Sequence, residues 1–487
     1  MLLLKNSMKV IKNYLYNASY QLLALILPII TAPYVSRTLG PRGVGQYSYT
    51  YSIITWFTLI TSIGIAYYGD RQVAYVRKDH QRLSRTFWEL QIIKICMTII
   101  SLMLFMVLLR FYHHYTFLLW LQVINIIAST VDISWLYMGL ENFKVTVTRN
   151  TIVKAISVIL IFTFVHTYQD TWKYVIILGM SLLIGNLTLW PSLRKILVPV
   201  KFHELRPFSH LKESLILFLP SVATKVYLTL NKTVLGVLSG ATAAGFYNNS
   251  DALIQMVIAI VTATGTVILP HVANEYANGN VEAVRKTLYK SFDFVSFISI
   301  PMAFGVAGIA LKLSKFFYGR GFAPVGPVMM IESIIIVLVA WSNAIGIQYL
   351  LPMKRTNEYT KTLVTSAIVS VLLSFPLIYL FGLHGAIMTT VIAEAVVAFY
   401  QLVIVHRELD MKRLFKDIPK FLIAGLAMFV VVFWFNITIY FNIFTMLFEV
   451  LVGVALYALL ILLLRPAIVD DALLIVRKKL LKKRGKG

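Results

Sequence analysis

The sequence predicts an all-α integral membrane protein of about 14 transmembrane helices, with two six-helix lobes related by a pseudo-two-fold along the membrane normal and two further C-terminal helices. Three observations carry that expectation. Hydrophobic residues make up 59% of the 487 positions and charged residues 14%, against roughly a quarter charged in ordinary globular domains. Apolar runs of about 18 or more residues recur from one end of the chain to the other. Short stretches in the first half reappear in the second at an offset of about 200 residues. A mean hydropathy of +0.78 excludes a soluble enzyme, a fibrous protein and a disordered scaffold.

Fourteen stretches qualify as spans, over 13–36, 46–69, 87–109, 117–139, 150–167, 172–193, 214–238, 246–270, 289–311, 326–351, 362–381, 384–406, 420–440 and 443–465. Their uniform apolarity lacks the alternation of barrel strands, so each is a helix. The first is not a cleaved signal peptide, because it runs through Pro28 and Pro33 to Arg37 without a small-residue cleavage site. Most of the 45 lysines and arginines fall on one side, in 71–86 (Arg71, Arg77, Lys78, Arg82, Arg85), 194–213, 407–420 and the tail Arg477–Lys486. By the positive-inside rule both termini are cytoplasmic and the helix count is even. The net charge of +24 is thus a topology signal and a contact for anionic headgroups, worth about 1 kcal/mol per residue near the surface. It does not point to nucleic acid.

Gly45-Gln-Tyr47 matches Gly245-Phe-Tyr247, Val73-Ala74 matches Val272-Ala273, and Arg85-Thr86 matches Lys286-Thr287. Leu27-Pro28 with Arg37-Thr-Leu-Gly40 parallels Leu219-Pro220 with Lys232-Thr-Val-Leu-Gly236. Six helices separate the matched points, so the repeats share one orientation and a cavity between two rocking lobes follows. The expected division is 1–200, 201–415 and, for the extra helices and basic tail, 416–487.

Ionisable groups at membrane depth are costly and commonly face a cavity or a partner. Lys225 lies near the midplane of its span. Lys232 follows seven residues later on nearly the same face, beside Asn231. Such cations suit an anionic headgroup, whereas a snorkelling role fits Lys232 better than Lys225. The next span carries Asn248, Asp251, Gln255, Thr262 and Thr266 at helical spacing, as sugar-hydroxyl partners or as interhelical hydrogen bonds. Asn13, Asn17 and Gln21 step along the first span. Tyr51, Thr55, Thr58 and Ser62 line the second, where Tyr51 suits stacking on a sugar. With Arg37, these four spans supply the candidate substrate-binding set Lys225, Lys232, Asp251, Gln255, Asn17, Gln21, Tyr51 and Arg37. Glu332, Glu394 and Asp132 are candidates for a coupling proton or sodium ion, or for structural pairs. Glu89 and Lys94 sit too far round one helix to pair well.

No catalytic group, metal site or cofactor is expected. The nine histidines lack metal-ligand spacing, the single Cys96 excludes a disulfide within the chain, and no phosphate-binding GxxxxGK[ST] loop occurs.

The stretch from Asn13-Tyr-Leu-Tyr-Asn17 through Leu27-Pro28 to Arg37-Thr-Leu-Gly-Pro-Arg-Gly-Val-Gly45 resembles the bacterial polysaccharide repeat-unit flippases of the Wzx type. These belong to the multidrug/oligosaccharidyl-lipid/polysaccharide exporter superfamily. Tyr68-Gly-Asp-Arg71, Asp132-Ile-Ser-Trp135, Arg149-Asn-Thr, Asn231-Lys-Thr-Val-Leu-Gly236, Gly265-Thr-Val-Ile-Leu-Pro270 and Met330-Ile-Glu332 are similar too. Asn231 stands where the family commonly has an aspartate. The resemblance implies a non-enzymatic flippase in the bacterial cytoplasmic membrane that passes undecaprenyl-pyrophosphate-linked oligosaccharide to the outer leaflet for capsule or exopolysaccharide synthesis. Membrane lipids and polysaccharide biosynthesis enzymes are its expected partners. By likeness to lipid II flippases, 420–465, with Phe433, Trp434, Phe435 and Phe441, would form a groove for the lipid tail. The alternatives are a small-molecule or multidrug antiporter of the same superfamily, a lipid II flippase, a polytopic polysaccharide polymerase or ligase, and an assembly scaffold.

Overall fold

The structure is a computed structural model. It describes residues 2–440 and 442–470, with side chains at 27–218, 222–223, 225–226, 228–263, 268, 272–440 and 442–470. Among the described residues the regular structure is helical throughout, as a chain without water to satisfy its backbone must be. Among the described residues eleven helices are long and apolar enough to cross a membrane, so the chain is a multi-pass membrane protein. Two features separate this number from the fourteen stretches read in the sequence. The first two run together as one helix that turns at Gly40 (φ 67°), beside Pro41. The stretches over 214–238 and 246–270 pass through positions whose side chains are not described, leaving Leu228–Leu238 as a shorter apolar helix.

The chain forms two compact units, 1–245 and 246–487. The first holds α1 (Leu2–Ser62), α2 (Ile65–Val76), α3 (His80–Phe111), α4 (Thr116–Thr130), α5 (Ser134–Gly139), α6 (Phe143–Phe164), α7 (Thr171–Leu187), α8 (Leu211–Leu238) and the first turn of α9 (Ala241–Ala277). Here α1 packs on α3, α4, α6 and α8, and α4 packs on α7. Gly64, in the left-handed region at φ 76°, ends α1 and lets α2 start in a new direction. Ser214 Oγ donates to the Ile63 carbonyl at 2.6 Å, which pins the start of α8 to that break. The Asp79 carboxylate accepts from the N–H groups of Gln81 and Arg82 and starts α3.

Close backbone approach marks two glycines paired in the sequence. A Cβ on Gly245 would lie 2.7 Å from the Gly45 Cα, and one on Gly45 would lie 2.3 Å from the Ala241 carbonyl oxygen. Only a residue without a side chain fits either place.

The second unit holds the rest of α9 with α10 (Val281–Tyr318), α11 (Val325–Glu332), α12 (Ile335–Ser342), α13 (Thr356–Phe381), α14 (Leu383–Val405), α15 (Met411–Leu414), α16 (Ile418–Thr438) and α17 (Ile443–Leu464). Here α13 packs on α14, and the hairpin of α16 and α17 packs on α10. A π-helical stretch, Asn343–Leu350, continues α12, a widening common near functional sites.

The same aromatic stack occurs in both units. Phe87 of α3 lies 5.6 Å from Trp135 at 24°, and Phe292 of α10 lies 5.5 Å from Trp341 at 29°. These pairs sit at matching places in the two halves of the sequence and centre their respective cores.

Candidate substrate-binding site

Thr233 and Gly236 orient α8. Thr233 Oγ1 accepts from Trp56 Nε1 at 3.1 Å and donates to Ser52 Oγ at 3.0 Å. Gly236 lies flush on the Tyr49 ring, where a Cβ would come within 1.9 Å. With that face against α1, Asn231 is fully buried, Lys232 is half-buried and Lys225 is exposed from the protein. Lys232 lies within electrostatic reach of Tyr51.

Tyr51 is 43% exposed and anchors an aromatic group that the sequence reading only partly foresaw. Its ring stacks on Tyr47 at 5.6 Å and 18°, and Tyr47 meets the edge of Tyr174 from α7 at 4.8 Å. Apolar ring faces beside an ammonium suit a sugar attached to a phosphate. Period-3.6 reasoning could have paired Tyr47 with Tyr51, four residues apart, but Tyr174 required the packing of α7. Arg37 is exposed and precedes the Gly40 turn. The hydroxyls of Thr55, Thr58 and Ser62 turn back to carbonyls of their own helix, so that stripe is satisfied locally. Asn17, Gln21 and Thr266 lie outside the described side chains.

The second unit gathers carboxylates. Glu332 is 1% exposed and accepts from the Ser250 hydroxyl. Glu394 is 6% exposed and lies within electrostatic reach of Asp251. Tyr318 senses both Glu332 and Asp251. Gln255 donates to Asp251 Oδ1 at 3.3 Å. Three acids contributed by α9, α11 and α14 thus share one region, chemistry suited to a proton or a small cation.

Asp132 is placed elsewhere. Its Oδ1 accepts from the Ser134 N–H at 3.0 Å and from the Ser134 hydroxyl, a local turn that opens α5. Its carbonyl accepts from Lys94 Nζ at 2.6 Å, which supplies the partner that Lys94 needed. Glu89, which the sequence left without a role, is a hub. Its Oε1 accepts from Arg85 Nε at 3.0 Å and from the Arg206 N–H at 2.7 Å, and its Oε2 accepts from His210 Nε2 at 2.9 Å. The Tyr68 hydroxyl and His210 Nδ1 are hydrogen-bonded at 2.7 Å. These contacts hold the segment that leads into α8 against α3. Sequence distance hid them, since Arg206 and His210 lie more than a hundred positions downstream.

Phe433, Trp434 and Phe435 are not among the residues that line the cavity between α16, α17, α9 and α10. Its wall comes from Met428, Val432, Val450, Gly453, Val454 and residues facing them. Phe441 lies outside the described residues. Among the described residues no group of three or more His, Cys, Asp or Glu could hold a metal ion.

This architecture is shared with known proteins. The chain is 26% identical over 417 residues to a putative O-antigen transporter of Escherichia coli K12, covering 82% of this chain and 98% of the relative. Over 188 residues, 37% of this chain and 35% of the relative, it is 24% identical to a probable lipid II flippase MurJ of Rhizobium meliloti. In fold it superposes on the inward closed structure of the lipid II flippase MurJ with a TM-score of 0.70, at 18% identity, covering 92% of this chain and 98% of that one. The profile of the polysaccharide biosynthesis protein family matches residues 10–274, more than half of the chain, and the chain therefore belongs to that family.

Proposed function

We propose that the protein is a flippase that carries a lipid-linked oligosaccharide, with an undecaprenyl-pyrophosphate anchor, across the bacterial cytoplasmic membrane for a surface polysaccharide such as capsule or exopolysaccharide. The single observation that carries the reading is the cationic and aromatic face of the first unit, where Lys232 lies by Tyr51, Tyr47 and Tyr174. A pyrophosphate needs cations at depth, sugars need ring faces and polar partners, and both requirements are met within one unit. The O-antigen transporter and lipid II flippase relatives support the same cargo class. Lys225, Lys232 and Arg37 take the phosphates in this reading, and Tyr51, Asn17 and Gln21 take sugars.

Movement follows alternating access. The recurring Phe–Trp stack and the meeting of Gly45 with Gly245 support an internal duplication with its pseudo-two-fold, the arrangement that permits rocking lobes. Asp251, Glu332 and Glu394 serve a coupling proton or sodium ion. Those carboxylates also favour the second reading, a cation antiporter of the superfamily; the lysines of α8 weigh against a cationic cargo. Both termini are cytoplasmic by their charge, and basic inner loops are the surface for biosynthetic partners.

Depletion in the host tests the proposal. Undecaprenyl-linked repeat units should accumulate in the inner leaflet while surface polymer is lost, and wild type should restore both. Repeat units that reach the outer leaflet unpolymerised would transfer the reading to a polymerase. An unchanged lipid-linked pool would leave the antiporter.

A further inference from the structure

The segment between α7 and α8 is fastened to the first unit at several points. His80 Nδ1 lies 3.3 Å from the Ile196 carbonyl, and the Val198 N–H donates to Ser84 Oγ at 2.8 Å. The last fastening before α8 is His210, which stands at the N-cap of that helix. His210 Nε2 lies 2.9 Å from Glu89 Oε2 of α3, and Nδ1 lies 2.7 Å from the Tyr68 hydroxyl of α2. By the charge rule this segment and the helix ends it touches face the cytoplasm.

Arg85 Nε and the Arg206 N–H both donate to Glu89 Oε1, which keeps Glu89 a carboxylate that can only accept. His210 Nε2 therefore carries a hydrogen whether the ring is neutral or charged. Nδ1 is the position that changes. It accepts from the Tyr68 hydroxyl in the neutral ring and donates to the same oxygen in the charged ring. Both hydrogen bonds survive either way, but the charged ring adds an ion pair to a carboxylate that is only 6% exposed. The other charges around the ring are Arg71 and Glu213, which pair with each other at 3.0 Å; Arg71 also lies over the Tyr68 ring at 5.6 Å. Histidine is the side chain that changes charge near neutral pH.

We propose that the Glu89–His210–Tyr68 chain is a pH-graded latch on the start of α8, the helix that carries Lys225 and Lys232. A more acid cytoplasm protonates His210 and tightens the hold of α3 on that helix, and a more alkaline one loosens it. The latch is independent of which cargo the protein carries. The second unit supplies the contrast, because it fastens an inner end without histidine. There Arg355 Nη1 donates to Glu408 Oε2 at 2.7 Å, and the Tyr349 hydroxyl donates to the same oxygen at 3.2 Å. Arginine stays charged throughout the physiological range, so that clamp is constant.

Amide hydrogen exchange of the full-length protein in nanodiscs reads the latch without transport. After correction for the intrinsic pH dependence of exchange, residues 205–212 should be about fivefold better protected at pH 6 than at pH 8, the gain of a charge-assisted bond over a neutral one. Residues 354–359, on the arginine clamp, should show no such difference. His210→Gln, which can still donate to Glu89 but cannot titrate, should make 205–212 equally protected at both pH values. His80→Gln and His203→Gln remove the other two histidines of this region, of which His203 lies 3.9 Å from Glu204, and both should keep the wild-type difference. Should His210→Gln not fold, Glu89→Gln, which leaves the histidine and removes its counter-charge, should shrink the difference at least twofold. Equal protection of 205–212 at both pH values in wild type would overturn the proposal, as would a difference that survives His210→Gln or disappears in His203→Gln.

Discussion

Tyr51 on α1 and Asp251 on α9 occupy matching places in the two halves of the sequence, each six residues after a glycine of the Gly45–Gly245 pair, and the molecule uses them in opposite ways. In the first unit Tyr51 stands 43% exposed beside Lys232, stacked on Tyr47. In the second, Asp251 lies by Glu394 and Tyr318, and Tyr247, the match of Tyr47, is 1% exposed and hydrogen-bonded to Thr390 at 2.7 Å. Backbone-determined positions stay alike, because close helix crossings tolerate only glycine there. Side chains that point into polar space are free to diverge, since changing them costs little packing. On the proposed reading, the comparison assigns an anionic, sugar-bearing ligand to the first unit and a cation to the second.

The sharpest way to break this contrast is Lys225→Ala, expected to reduce export of surface polymer about tenfold or more at equal protein level, as loss of a charged hydrogen bond does. Lys225→Arg should retain more export than Lys225→Gln, and equal loss in both would point to shape instead of charge. Gly245→Ala should lower stability by about 1–3 kcal/mol, since its Cβ would press on the Gly45 backbone; a thermal-shift measurement of the full chain reads this, and an unchanged midpoint would remove the shared crossing. Glu394→Gln and Glu332→Gln should keep fold and cargo binding but blunt the response of vesicle transport to an imposed proton or sodium gradient. An undiminished response would make these acids structural. Tyr51→Leu should weaken cargo binding by a few-fold, the scale of about 0.5–1.5 kcal/mol for an aromatic contact, whereas Tyr51→Trp should preserve it. Asp132→Asn should be nearly silent in export, because asparagine forms the same turn with Ser134; a large loss would restore Asp132 to the coupling candidates.

Much of the site could be read as residue type and little of it as grouping. Lys232, Tyr51, Glu332 and Glu394 stood out because a polar group in a long apolar stretch is conspicuous. Their companions did not. Tyr174 reads as an ordinary aromatic at a helix start, and the Glu89–His210–Tyr68 chain joins three separate parts of the sequence. That Met428, Val432 and Gly453 line the cavity between α16, α17, α9 and α10 could not be read from the sequence, because helix rotation depends on the neighbour packed against it.

What the sequence determined by itself is the all-helical, multi-pass character. Transfer of apolar residues into hydrocarbon adds up along a segment, and a backbone without water must close its own hydrogen bonds. Tertiary structure alone decided the partners: which hydroxyls satisfy themselves, which carboxylates gather, and which, like Glu89, fasten a distant segment. Those outcomes depend on contacts between segments far apart in the chain, set by packing angles that no local pattern encodes.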